Sequence, residues 1–357
     1  MRPEGWAGGV VDGDTSTLYV GTMGGRILAI DTENGEPRWQ FDLQGDEQLR
    51  AIYGTPFLSG TGLYVGGYDG YLYRLNTETA SSDGEDVWSV PVGGEKQPIV
   101  GGPAEADGVV VVGSSDSRVY AFNAEDGTEL WRFETGEKVW GTPAIANGVV
   151  YIGSLDKKLY ALDLLQGTER WSYPTKGAIT AKPMILDDVV YVGSFDSVFY
   201  ALDLQTGQPL WTFEGADNWY WASATESSGT LYVASLDKRV YALDKGSGAL
   251  RWTLETEGGI TGVPVVSNNR LVVASDDRSL YVARLTDGGD VRRCEIGERL
   301  RSNLAEKGGV VFVGAWNRSV LAITIAGNGD PGELWYHVTD KKNWQQDWRD
   351  VEHGRVC

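Results

Sequence analysis

Residues 140–176 read WGTPAIANGVVYIGSLDKKLYALDLLQGTERWSYPTK, and this stretch decides the fold. Four short runs rich in Val, Ile, Leu, Tyr and Trp stand in it: Gly141–Ile145, Val149–Ser154, Lys158–Asp163 and Arg170–Tyr173. Between them lie Asn147-Gly148, Leu155-Asp156-Lys157 and Gln166-Gly167. Apolar, β-branched and aromatic runs bounded by Gly and Asp are strands, and Asn-Gly between two such runs is a hairpin turn. No helical periodicity of useful length intervenes. The stretch therefore predicts a four-stranded antiparallel unit with two apolar faces, which it cannot bury alone.

The unit recurs. An apolar run ending in Gly or Ala appears eight times, terminating at Gly21, Gly66, Gly113, Gly153, Gly193, Ala234, Ala274 and Gly314, at intervals of 45, 47, 40, 40, 41, 40 and 40 residues. Stacking such units radially buries both faces of each. The predicted fold is all-β: a single eight-bladed β-propeller of four-stranded antiparallel blades over residues 1–340. The blades fall near 5–45, 46–94, 95–136, 137–176, 177–216, 217–257, 258–297 and 298–340, and residues 341–357 form a non-repeating tail.

Rows of aligned residues are architecture before they are chemistry. A turn Asp recurs at Asp69, Asp116, Asp156, Asp196, Asp237 and Asp276, where a carboxylate accepts backbone N–H groups of its own turn. Tyr73, Tyr120, Tyr160, Tyr200 and Tyr241 recur in the third strand; Trp39, Trp88, Trp131, Trp171, Trp211, Trp252 and Trp335 recur in the outermost. A flat side chain at a fixed outer site wedges between blades and hydrogen-bonds its N–H locally. In blade seven Cys294 stands near the expected Trp, which predicts looser packing there.

These rows resemble the quinoprotein-type, or PQQ-like, propeller repeat, a "VYVGS-D-LYALD-TG-W" line that SLDKKLYALDLLQGTERW at 154–171 and SFDSVFYALDLQTGQPLW at 194–211 follow closely. The resemblance covers nearly the whole chain. It implies one of two functions. One branch comprises dehydrogenases carrying pyrroloquinoline quinone with calcium. The other comprises non-catalytic propellers of the BamB type, which bind other proteins. A shared fold does not choose between them.

Composition narrows the field. Lys plus Arg is 31 against 50 Asp plus Glu, a formal net charge of −19. A polyanion would be repelled, so nucleic acid is not an expected partner. Such acidity fits a halophilic source, where salt screens the self-repulsion. The cysteines, Cys294 and Cys357, do not make a disulfide framework. No signal-peptide pattern opens the chain and no run reaches the length of a membrane span. The expectation is a cytoplasmic protein as the chain stands, or an extracytoplasmic one if a leader or lipid anchor has been removed.

Catalytic signatures are sparse. His337 and His353 are the only histidines, which excludes a three-histidine metal site. Asp12-Gly13-Asp14 and Asn328-Gly329-Asp330 lack calcium-loop spacing and read as turns. The quinone enzymes of the family are usually much longer, and many have adjacent cysteines and a Glu/Asn/Asp calcium set in inserts that this chain lacks. No catalytic residue, metal ligand or cofactor is predicted; pyrroloquinoline quinone with calcium is the alternative.

Function is sought where the repetition fails. The innermost strand is read as ending at the recurrent Pro56, Pro103, Pro143, Pro183 and Pro264. Three positions before it lie Tyr53, Val100, Trp140, Thr180, Trp221, Thr261 and Arg301; one before it lie Thr55, Gly102, Thr142, Lys182, Ser223, Val263 and Asn303. Alternation puts both sets on one side, toward the central channel. Trp6 starts the equivalent strand of blade one, and Arg50 and Trp219 precede two others. The candidate ligand- or partner-binding residues are thus Arg50, Tyr53, Trp140, Lys182, Trp219, Trp221, Arg301 and Asn303. Cations with aromatics suit an anionic or planar ligand.

Connections between blades point to the same face. Trp to the next Pro takes 12 residues in the plain repeats but 17 from Trp39 and 15 from Trp88, with the extra residues around Gln44–Leu49 and Gly93–Pro98. Trp219-Tyr220-Trp221 reads as three exposed aromatics suited to a protein interface. Trp344 and Trp348 in the tail have helical i, i+4 spacing. The leading expectation is a non-catalytic scaffold that binds protein or peptide and is monomeric unless built into a larger complex. The alternative is small-molecule or quinone binding in the channel.

Overall fold

Asn147 and Gly148 take left-handed φ values of 51° and 70°, the geometry of a tight hairpin turn. They join β13 (Ala144–Ala146) to β14 (Val149–Gly153), and β15 (Lys158–Asp163) and β16 (Glu169–Pro174) complete an antiparallel sheet in chain order. The computed structural model describes residues 8–43, 51–79, 86–94, 96–315 and 319–338. Its strands, from β1 (Gly9–Asp12) to β32 (Pro331–Val338), make eight such four-stranded sheets. The protein is an eight-bladed β-propeller.

The first strands ring the axis. β1 touches both β5 (Phe57–Ser59) and β29 (Ala305–Lys307), and β29 also touches β25 (Val265–Ser267). Blade one has its own four strands, so no strand is exchanged between chain ends. The core is a set of apolar wedges between neighbouring blades. One joins Val111, Ala121 and Trp131 of blade three to Val150, Ile152 and Leu162 of blade four. The wedge that closes the ring joins Leu18, Val20, Leu28 and Ile30 to Phe312, Val320, Ala322 and Trp335.

Among the described residues the outer Trp row locks six of the eight seams. Trp131 lies on Gly167 of the next blade, so closely that a Cβ there would come 2.5 Å from the indole, and φ of +68° at Gly167 independently disfavours any side chain. The indole Nε1–H of Trp131 donates to Leu164 O at 2.8 Å. Trp88, Trp171, Trp211 and Trp252 donate likewise to Ala124, Leu204, Lys245 and Leu285 carbonyls at 3.1–3.2 Å. Trp335 closes the circle, stacking on Gly35 and donating to Thr32 O at 3.0 Å.

Blade seven departs from this pattern without leaving a gap. Asn268 Nδ2 donates to Ile325 O at 2.6 Å, the carbonyl that an indole would otherwise reach, and the Arg270 guanidinium lies against Gly329. The expected looser packing is thus replaced by a polar seam. Cys294 is buried, 1% exposed, and disulfide-bonded, so its sulfur is not a free thiol.

The Asp and Tyr rows strap the inner turns. Asp156 Oδ1 accepts from Lys158 N at 3.1 Å; its Oδ2 accepts from the Tyr160 hydroxyl at 2.6 Å and from Gly136 N at 2.7 Å. In blade seven this carboxylate is Asp277, bonded to the Tyr281 hydroxyl at 2.6 Å, and not Asp276 as the alignment suggested. Burial, then the adjoining carboxylate, pushes the Tyr120 and Tyr281 hydroxyls up to about 12, so they stay protonated donors.

If the indole lock carries closure, Trp335→Ala should cost about 3–5 kcal/mol, as should Trp171→Ala at an interior seam. Urea denaturation midpoints of the two variants check this; an unchanged Trp335→Ala midpoint would place closure elsewhere.

Candidate functional site

The inner strands begin after the recurrent Pro rather than ending at it: β9 starts at Ala104, β13 at Ala144 and β17 at Met184. Proline has no N–H to offer a ladder, so residues such as Trp140–Pro143 run on as extended, unpaired backbone. Alternation survives there. Gly141 and Pro143 are buried, while Trp140 and Thr142 are half-exposed and line the axis. Glycine between them lets blades meet backbone to backbone; a Cβ at Gly101 would sit 2.6 Å from Gly141 O.

The axis holds a cavity of about 1050 Å³. Tyr53, Trp140, Lys182, Trp219, Trp221, Arg301 and Asn303 all line it. Arg50 lies outside the described residues, as do Trp6, Gln44–Leu49 and the tail at 341–357.

The lining forms two layers. In the first, side chains pair with the residue ahead of a turn Asp. The Tyr53 and Tyr68 rings meet edge-on at 5.3 Å. Trp140 Nε1 donates to Ser115 Oγ at 3.1 Å. Phe195 stacks on Trp219 at 4.5 Å and 7°, and on Trp221 at 5.2 Å and 24°. Arg301 gives Nε and Nη2 to the two Asp276 oxygens at 2.8 Å each, a bidentate pair that neutralises it. Ser115, Phe195 and Asp276 were missed as site residues. The signal was present: Tyr68, Ser115, Leu155, Phe195, Leu236 and Asp276 vary at one aligned position.

Tyr220 corrects the reading of three exposed aromatics. It is fully buried in the wedge beside Phe199 and Leu231, whereas Trp219 is 42% exposed. Alternation sends residues 219 and 221 to the channel and 220 into the core.

The second layer is largely self-satisfied. Asn303 Nδ2 donates to Thr55 Oγ1 at 3.2 Å, and Asn303 Oδ1 accepts from Val263 N at 3.1 Å. Thr142 Oγ1 accepts from Gly102 N at 2.8 Å. Lys182 differs. It reaches water yet is surrounded by the channel wall, and among the described residues it has no hydrogen-bond or ion-pair partner. Desolvation holds its ammonium below the usual lysine range. Thr180 Oγ1, two residues earlier, is buried with no partner among the described residues.

A calcium–quinone set does not fit this lining. The cavity's carboxylates are Glu105 and Asp276, and Asp276 is committed to Arg301. Among the described residues no three His, Cys, Asp or Glu side chains gather.

The repeat family described as "Outer membrane protein assembly factor BamB" matches residues 2–116, 80–213 and 196–349. BamB of Shewanella oneidensis is 33% identical over 114 residues, 30% of this chain and 27% of that protein. Quinohemoprotein alcohol dehydrogenase ADH IIB of Pseudomonas putida is 30% identical over 132 residues, 33% of this chain and 19% of that protein. The matched stretch is thus under a third of either relative's length. The crystal structure of BamB from Moraxella catarrhalis superimposes with a TM-score of 0.72 at 18% identity, covering 87% of this chain and 91% of that one, a likeness of fold.

An unpartnered buried hydroxyl costs stability. Thr180→Val, of nearly the same shape, should therefore raise the urea midpoint by the equivalent of about 1 kcal/mol. A fall instead would mean that the hydroxyl is satisfied in solution.

Proposed function

The chain belongs to the family described as outer membrane protein assembly factor BamB, and from that membership we propose that it is a non-catalytic propeller scaffold whose channel mouth binds a protein or peptide partner. The observation that carries this reading is the Trp219–Phe195–Trp221 stack, which presents a half-open indole at the rim of the axial cavity. Pre-stacked aromatics lose little freedom on binding and make good anchors. The polar groups around them are mostly tied to one another, which suits a rigid recognition surface better than a reaction centre. No helix among the described residues is long and apolar enough to cross a membrane.

The disulfide at Cys294 favours the extracytoplasmic placement, where such bonds persist. Protein purified from its native compartment and unfolded without reductant should then show no titratable thiol. Free thiol in that assay would remove this support.

Site-specific photocrosslinking tests the scaffold reading. A benzoyl-phenylalanine in place of Trp219 should form adducts with partner protein, and the same group in place of Leu165, 70% exposed on the β15–β16 turn, should not. Equal adducts from both positions would count against a specific mouth. Spectral titration with pyrroloquinoline quinone and calcium decides the other branch: saturable, stoichiometric binding would overturn the cofactor-free reading.

A further inference from the structure

Blade five places Lys182 Nζ in the channel with no partner among the described residues, and Thr180 Oγ1, buried in the wall beside it, has none either. They lie two positions apart on extended backbone and both line the cavity. The other channel cation within the described lining, Arg301, is neutralised by Asp276, and Asn303 is engaged on both sides of its amide. On either side of Thr180 in ring order, blades four and six put Trp140 and Trp221 at its equivalent position. The result is a bay with aromatic flanks in which, among the described residues, no carboxylate is bonded to Lys182.

Resting on the protein-binding reading above, we propose that this bay is a carboxylate-recognition subsite: Lys182 takes a carboxylate of an extended partner segment, and its neighbouring apolar side chains lie against Trp140 and Trp221. The donor inventory favours this chemistry. A single ammonium matches a monoanion. A phosphate dianion demands more donors, usually with a guanidinium fork, and the nearby guanidinium is already occupied. The flanking indoles supply the apolar contact that fixes the residues on each side.

Three capped tripeptides test the subsite by saturation-transfer NMR titration: acetyl-Phe-Glu-Phe-amide, acetyl-Phe-Gln-Phe-amide and acetyl-Phe-Gln-Phe with a free carboxylate. The Glu peptide is expected to bind at least about tenfold more tightly than the Gln amide. Lys182→Met should abolish that preference while leaving the Gln amide affinity unchanged. Lys182→Arg, which keeps the charge, should retain a preference. Thermal melts verify that both variants are folded. The third peptide distinguishes a chain-end carboxylate from a side-chain one; tighter binding of either relative to the Gln amide supports the subsite. Equal affinity of all three peptides, no binding by any, or a preference that survives Lys182→Met would overturn it. The Trp219 crosslink does not involve Lys182, so the scaffold reading stands or falls separately.

Discussion

The molecule depends on one contact repeated around a circle: an indole laid on a glycine of the next blade, its N–H bonded to a carbonyl beside that glycine. A four-stranded sheet offers too little buried area to stand alone. The contact turns each outer edge into half of a seam. It needs a residue without a side chain on one partner and a large flat one on the other. This is why Gly167 and Trp131, or Gly35 and Trp335, belong together although far apart in sequence. Blade seven shows that the requirement is geometric, since Asn268 and Arg270 meet the same carbonyl and glycine with different atoms.

Once the circumference is fixed in this way, the axis is left free to vary. Residues ahead of each inner strand are held by backbone packing, not by ladder bonds, and their side chains answer only to neighbours across the channel. Adjacent blades meet this freedom by pairing, as in Trp140 with Ser115 and Arg301 with Asp276. Most of the lining is thereby made inert. The channel lysine of blade five is left without such a partner among the described residues, and the aromatic rim lies in the next blade.

The fold was legible because it is written eight times. The outer Trp row and the turn carboxylates were correctly read as scaffold. Two errors share a cause. Aligning by spacing put Asp276 in the turn, when the adjacent Asp277 is the residue four before Tyr281. Likewise, composition made Tyr220 look exposed, when alternation buries it between two channel residues. Both are matters of which side a residue faces, which one-residue offsets reverse. The Phe195 stack was invisible for another reason: it joins two blades, and no pattern within a repeat reports a contact between repeats.

Charge gives the free lysine its meaning. A chain with a formal charge of −19 has every opportunity to pair an internal cation, and it does so for Arg301. Leaving Lys182 unpaired in a partly desolvated channel is unfavourable to the unbound protein, and an incoming carboxylate relieves that penalty. The acidic exterior opposes the same carboxylate from a distance. The two effects respond differently to salt. Exposed charges are screened within roughly 8–10 Å at ordinary ionic strength, whereas a partly buried pair is screened much less. Rising salt therefore removes the long-range repulsion first and spares the contact at Lys182. Recognition then depends on the channel's own geometry more than on net charge.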